Sequence, residues 1–465
     1  MRAHEAGALH AEAGGGRGPA WLVAPRDLNA LVPGLWARNV VRSRDGMLHV
    51  AGVGADELAS RFGTPLYVID EDDFRTRART YRSAFAGADV FYAGKAFLSL
   101  ASVRWIDEEG LSLDVCSGGE LAVALRAGFD PARIGFHGNN KSVGELVKAV
   151  EAGVGRIIVD SVVEIERLAG IAAQRAVRQP VLVRVTAGVE AHTHEYIATA
   201  HEDQKFGFSI TEGDALDAMN RIEAHESLEL VGLHSHIGSQ IFDTAGFEVA
   251  ARRVLDLYSA ALRLGFALGE LDLGGGFGIA YTTQDDPADA SRLAEEIIAI
   301  VEHECRAHEI DVPRLSIEPG RAIAGPSTFT LYEVGTTKAV ALDAGASRLY
   351  VAVDGGMSDN IRPALYNADF SCALASRRSA AGPVLARVVG KHCESGDIVV
   401  KDEFLPADVS AGDLVAVPAT GAYCRSLAST YNHVPRAAVV AVRDGDARVI
   451  VRRETEDDLL RLEVG

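Results

Sequence analysis

Between Val90 and Ile317 the chain repeats one pattern: a short run rich in β-branched residues, then a longer stretch whose apolar residues recur at helical spacing. The candidate strands are Val90–Ala93, Leu111–Val115, Ile134–Phe136, Arg156–Val159, Val181–Val185, Leu230–His234, Glu270–Leu273 and Leu315–Ile317. Helical periods lie between most of them, at Gly119–Ala127, Gly144–Ala152, Val162–Ala173 and Phe247–Leu264. Ser117, Ser142 and Ser161 stand where N-caps belong, because a hydroxyl there can accept from an unpaired N–H of the first turn. Strands separated by helices pair in parallel, since the helix carries the chain back along the sheet. Eight such steps in about 230 residues predict a (β/α)8 barrel of the TIM type, with an open doubly wound sheet as the rival.

Pro65–Asp70 and Glu71–Phe85 read as a strand and helix leading into the first barrel strand. After Gly325 the rhythm changes to strands with little helix between them: Phe329–Val334, Leu349–Val353, Val384–Val389, Leu414–Val417, Ala437–Val442 and Ala447–Arg453. Asp444-Gly445 and Asp45-Gly46 are hairpin turns by type, the second joining Asn39–Val41 to Met47–Val50. A lone hairpin buries no core, so the N-terminal one is assigned to the C-terminal β domain. The expected division is a disordered tail at 1–20 and N-terminal strands at 21–57 that join the β domain. The barrel then takes 58–325, and a β-sandwich or barrel-like domain takes 326–465.

Composition narrows the function. Lys plus Arg number 46 against 65 Asp plus Glu, a net charge of −19, which disfavours nucleic acid and anionic membranes as partners. No apolar run approaches the roughly 20 residues of a membrane span, and Met1 to Gly18 has no apolar signal-peptide core. Five scattered cysteines without a C-x-x-C pair suit reduced thiols in a cytoplasm and argue against a structural metal site.

Barrel enzymes carry their reactive residues where strands end at the C-terminal face. Here those ends read Tyr92-Ala93-Gly94-Lys95, Asp114-Val115-Cys116-Ser117, His137-Gly138-Asn139-Asn140-Lys141, Asp160, His234-Ser235-His236, Gly274-Gly275-Gly276 and Glu318-Pro319-Gly320-Arg321. Lys95 follows an apolar run in a chain with seven lysines. Burial there would favour its free amine as a nucleophile; pairing with a carboxylate is the alternative. The Gly274–Gly278 segment could cradle an anion on its backbone N–H groups, or be a turn that needs positive φ. His234-Ser235-His236 matches the H-x-H pair of hydrolytic metal barrels, with His192 and His194 as conceivable extra ligands. Cys393 is either an acid or nucleophile or a small buried hydrophobe.

Taken together, the segments resemble the fold-type III pyridoxal-phosphate decarboxylases of basic amino acids, and within them the actinobacterial branch that acts on diaminopimelate. The resemblance is carried, in order, by Tyr92–Ala96, His234-Ser235-His236-Ile237-Gly238-Ser239-Gln240, Asp272-Leu273-Gly274-Gly275-Gly276, Glu318-Pro319-Gly320-Arg321, Cys393-Glu394-Ser395-Gly396-Asp397 and Tyr423. The branch is marked by Glu190–Glu195 running to Lys205-Phe206-Gly207, and by Asp354–Tyr366. The resemblance implies that Lys95 holds pyridoxal 5'-phosphate covalently, His236 stacks on its ring and Glu318 pairs with the ring nitrogen. It places Ser239, Gly276, Gly320 and Arg321 at or beside the phosphate, with Tyr423 reaching the cofactor from the β domain. It further implies a homodimer with shared sites, in which Cys393 donates the final proton and Glu394 crosses the interface. Arg321, Arg362, Tyr366, Glu394 and Tyr423 would bind meso-diaminopimelate, decarboxylated at its D-centre to L-lysine in the last step of lysine biosynthesis. Ornithine, arginine or carboxynorspermidine are rival substrates. A non-catalytic cofactor-binding regulator is the rival from another class.

Overall fold

The computed structural model describes residues 18–188, 205–342 and 346–465. Most of the expected tail, the Glu190–Glu195 segment with His192 and His194, and most of His192–Phe206 lie outside the described residues. The chain forms two units. One holds Arg75–Gly278 and Pro287–Ala322; the other holds the residues through Phe74, Ile279–Asp286 and Ile323–Gly465.

The N-terminal strands β1 (Val40–Arg42), β2 (Leu48–Val50) and β3 (Val53–Gly54) form a small antiparallel sheet, and β4 (Leu66–Asp70) follows. The barrel begins with β5 (Asp89–Ala93), β6 (Ser112–Val115), β7 (Ile134–Phe136), β8 (Arg156–Val159) and β9 (Gln179–Thr186). After the short β10 (Phe208–Ser209) it continues with β11 (Leu228–His234), β12 (Glu270–Asp272) and β13 (Arg314–Ile317). Among the described residues, β5–β9 and β11–β13 are parallel neighbours in sequence order, and β13 pairs back onto β5 through Ser316↔Asp89 and Ile317↔Val90. That last pairing closes the barrel and rules out the open sheet.

Local chemistry places the helices. Ser117, Ser142 and Ser161 each accept from the backbone N–H three residues on, at 3.2–3.3 Å, and Glu145 reaches back to the Ser142 N–H. Each cap stabilises its helix by about 1 kcal/mol. Helices at Leu100–Glu108, Asp214–Glu223 and Ala290–Ala307 complete further steps. Strand pleating sends alternate residues to opposite faces. Inside the barrel this exposes an unusually polar set to one another, including Asp114, Arg156, Glu270, Asp272 and Ser316. Arg156 and Glu270 neutralise each other as a bidentate pair, with Nε–Oε2 at 2.6 Å.

The second unit is built on β14 (Thr328–Ala341), β15 (Ser347–Val353), β16 (Ala373–Leu374), β17 (Pro383–Val389), β18 (Ile398–Pro406), β19 (Leu414–Pro418), β20 (Ala438–Arg443) and β21 (Asp446–Val451). The first half of β14 pairs with β4 and β19. Past an irregularity between Val334 and Thr336, the second half pairs with β15. One strand thus belongs to two layers, which gives the sandwich its fold. Asp444 (φ 52) and Gly445 (φ 80) make the left-handed turn that a two-residue hairpin needs. The N-terminal strands share one core with this unit: Leu48, Val50 and Val53 pack with Leu66, Val68, Phe329, Leu331 and Val440.

The strand at 66–70 departs from the expected boundary at residue 58. Rather than leading into the barrel, β4 is a central strand of the β unit, antiparallel to β14 and parallel to β20. All five of its residues are buried, so its sequence suits either domain. Partners more than 250 residues away decide between them.

Candidate active site

The turn that leaves β5 is drawn tight by Gly94 N–H donating to Asp114 O at 2.9 Å and Ala96 N–H to Ala93 O at 3.1 Å. It delivers Lys95 to a cavity of about 310 Å³ at the strand ends, lined also by Asp114, His137, Arg184, His236 and Glu318. Lys95 is exposed, not buried as the sequence reading expects. It stands past the end of the strand, where its stem faces the cavity instead of the barrel wall. The nucleophile reading therefore rests on access and not on desolvation.

Two glycines bring the other turns against this one. A Cβ at Gly320 would lie 2.8 Å from Ala93 O, and a Cβ at Gly275 would lie 2.2 Å from Glu318 O. The lysine turn, the Glu318 turn and the glycine segment can nest only because both positions are bare. Gly276 (φ 99) sits equally close to Gly238 O. Arg321, buried, donates from Nη2 to Ser239 Oγ at 2.7 Å. The residues expected around a phosphate thus come from three separate turns.

His236 Nδ1 accepts from Gly275 N–H at 3.1 Å, which leaves the ring proton on Nε2. Burial, with the neighbouring Lys95 charge, holds this ring well below its ordinary value, so it is a neutral face. Glu318 Oε1 lies 3.0 Å from His234 Nε2 and 3.3 Å from His137 Nε2, yet neither approach has hydrogen-bond geometry and this buried oxygen has no donor. Burial pushes the Glu318 carboxyl up, but the facing imidazoles of His137, His234 and His236 win and hold it well below the carboxylate range. The same burial drives His137 and His234 down to about 4 against the pull of Glu318. Burial and the Glu318 charge push Asp114 and Asp272 well above their ordinary values. These shifts all favour negative charge on Glu318 over Asp114 and Asp272.

His137, His234 and Glu318 are also the residues whose ligand atoms come within 4.8 Å of one another, the spacing of a metal site. The H-x-H pair considered from sequence is split: His234 joins this trio while His236 turns to Gly275. Asp114, His137, Arg184 and Phe206 line the cavity without having been assigned a role from sequence. For the first two, position at a strand end is the available signal. For Arg184 it is a lone charge inside the β-branched run of β9. Its guanidinium stacks 4.3 Å over Phe206 and lies 4.0 Å from Asp160.

The remaining expected residues belong to the β unit. Arg362 and Tyr366 open and close a short helix, so they share one face. Arg362 is buried, with its guanidinium 4.5 Å over Tyr281 and 5.4 Å from Phe370, and its Nε and Nη1 have no hydrogen-bond partner. Cys393 is exposed and Glu394 half-buried, on a turn whose Asp397 accepts from the N–H groups of His392 and Met357. Tyr423 holds a left-handed backbone (φ 63). Asn360 Oδ1 accepts from Arg362 N–H at 3.3 Å and from Cys424 Sγ at 3.4 Å, tying the Arg362 helix to the Tyr423 turn.

These residues fit pyridoxal phosphate. An accessible primary amine suits its aldehyde, and the donor-less ionised oxygen of Glu318 suits a protonated ring nitrogen. The family model for the pyridoxal-binding domain of pyridoxal-dependent decarboxylases matches residues 71–325. Diaminopimelate decarboxylase of Mycobacterium tuberculosis is 58% identical over 444 residues, covering 94% of this chain and 99% of that protein. The Bacillus subtilis enzyme of the same name is 46% identical, covering 91% and 96%. The crystal structure of diaminopimelate decarboxylase from M. jannaschii in co-complex with L-lysine superimposes with a TM-score of 0.85 at 31% identity, covering 92% of this chain and 98% of the other.

Proposed function

This chain belongs to the diaminopimelate decarboxylase family of pyridoxal-dependent decarboxylases, and on that premise we propose that it converts meso-2,6-diaminopimelate, at its D-centre, to L-lysine and carbon dioxide. The observation that carries the reading is one cavity bearing both the Lys95 amine and the ionised Glu318 oxygen without a donor. When bound, pyridoxal phosphate supplies the electron sink that makes loss of an α-carboxylate feasible.

The chain's own residues supply the rest. Lys95 is the residue that would hold the cofactor, through its accessible amine. The ionised Glu318 oxygen would pair with the ring nitrogen, and the neutral His236 ring would lie against the cofactor. Arg321, Ser239, Gly276 and Gly320 hold the phosphate end. Arg362 and Tyr366 take the distal carboxylate, for which the unpartnered guanidinium nitrogens of Arg362 are the support. Glu394 takes the distal ammonium, Tyr423 closes on cofactor and substrate, and Cys393 returns a proton to the α-carbon. The exposure of Cys393 supports its donation across a homodimer interface, each site being completed by the second subunit. Among the described residues no helix is long and apolar enough to cross a membrane, and all five cysteines are free, which supports a cytoplasmic enzyme.

The test follows carbon dioxide and L-lysine together from meso-diaminopimelate, with ornithine and arginine in parallel. Equimolar products from diaminopimelate alone are expected. Turnover of ornithine or arginine instead would overturn the substrate assignment.

A further inference from the structure

His137 lies outside every motif that carries the family resemblance, yet its ring stands between two carboxyl groups. Nε2 is 3.2 Å from Asp114 Oδ1 and 3.3 Å from Glu318 Oε1. The His234 ring meets it edge-on at 5.0 Å. The barrel makes room for this arrangement: a Cβ at Gly135, on β7, would lie 2.6 Å from Asp114 Oδ1. Resting on the reading of Glu318 as the cofactor's partner, we propose that His137, braced by Asp114, is a positioning residue that holds the Glu318 carboxylate in place for the ring nitrogen.

A carboxylate inside a dry barrel takes up a proton unless polar groups face it. Around Glu318 these are Lys95 after β5, Asp114 on β6, His137 after β7, Arg184 on β9, His234 and His236 at the end of β11, and Asp272 on β12. Burial and Glu318 itself push both acids toward their neutral forms, so they compete little for the charge. The two histidines facing Oε1 are neutral at physiological pH. Neutral imidazole edges 3.0–3.3 Å from the carboxylate give it polar surroundings without cancelling the charge that the ring nitrogen needs, which a cationic histidine would do. Asp114 fixes the register of His137: with its Oδ1 on one side and Glu318 on the other, the imidazole edge has one place to sit. Lys95, across the cavity, is left to react.

The test titrates pyridoxal phosphate into the full-length apo-protein carrying His137→Leu or His137→Gln, reading affinity and the absorbance of the bound cofactor across the neutral pH range. His137→Leu should weaken affinity about tenfold, because it replaces the polar ring edge 3.3 Å from Glu318 Oε1 with an apolar one and leaves the buried carboxylate less well surrounded. It should also bring a pH transition of the absorbance into the neutral range. His137→Gln keeps a polar N–H group between Asp114 and Glu318 and should recover most of both. Wild-type affinity and pH profile in His137→Leu would overturn the inference, and so would equal loss in the two variants. Should His137→Leu not fold, Asp114→Ala, which removes the brace on His137, must show the same absorbance shift or the inference fails. Lys95→Ala and Glu318→Gln in the same titrations report on the underlying reading. Wild-type binding in both would sink that reading, whereas loss in both with His137→Leu unaffected would sink this inference alone.

Discussion

Arg362→Met should make the protein more stable and less able to use its substrate. Arg362 is 5% exposed, and both Nε and Nη1 are buried without a hydrogen-bond partner. Leaving a buried donor unpaired costs about 1–3 kcal/mol, so two cost about 2–6 kcal/mol. Stacking on Tyr281 and Phe370 offsets about 1–2 kcal/mol of that, and Met retains much of the packing of the Arg stem. The ligand-free variant should therefore gain about 1–3 kcal/mol, a rise of a few degrees in Tm at roughly 2–4 °C per kcal/mol for a domain of this size. Its KM for diaminopimelate should rise about ten- to a hundredfold, the loss of one charge-assisted pair. Inhibition by L-lysine should weaken by a similar factor, because lysine keeps the distal carboxylate, while cofactor affinity stays put. Calorimetry without ligands and steady-state kinetics measure both sides. A fall in Tm would show Arg362 to be a structural residue, and an unchanged KM would remove it from the substrate site.

Glu318→Gln removes the charge opposite the ring nitrogen; an ion pair at 4 Å with an effective dielectric near 20 is worth about 4 kcal/mol, so kcat/KM should fall about a thousandfold. Activity within tenfold of wild type would refute that role. Burial raises Asp359 to about 7, although Tyr332 O–H donates to its Oδ2 at 2.6 Å. Its folded-state value thus lies above the unfolded one, and it costs stability as pH rises from about 4 to about 7. Urea midpoints should show wild type losing stability across that window relative to Asp359→Asn; parallel pH profiles would contradict this. If the site is shared across a homodimer as proposed, equal mixtures of Lys95→Ala and Cys393→Ala subunits should regain about a quarter of wild-type activity, since half of such dimers would be mixed, each with one intact site. No recovery after verified subunit exchange would refute a shared site.

The barrel, and which residues stand at its strand ends, could be read from local spacing alone. Strand and helix periods, and serine caps such as Ser142 with Glu145, act within a dozen residues, so local spacing is enough to read them. Lys95, His236 and Glu318 were legible because each ends a strand on the face where a parallel barrel opens. What depends on approach from distant parts of the chain emerged from the folded arrangement. It put β4 in the β unit, where partners near Phe329 and Val440 outweigh its neighbours in sequence. It exposed Lys95 to a cavity, stacked Arg362 on a tyrosine from the Ile279–Asp286 segment, and set His137 between Asp114 and Glu318. Burial and charge are sums over neighbours in space, and no spacing along the chain contains them.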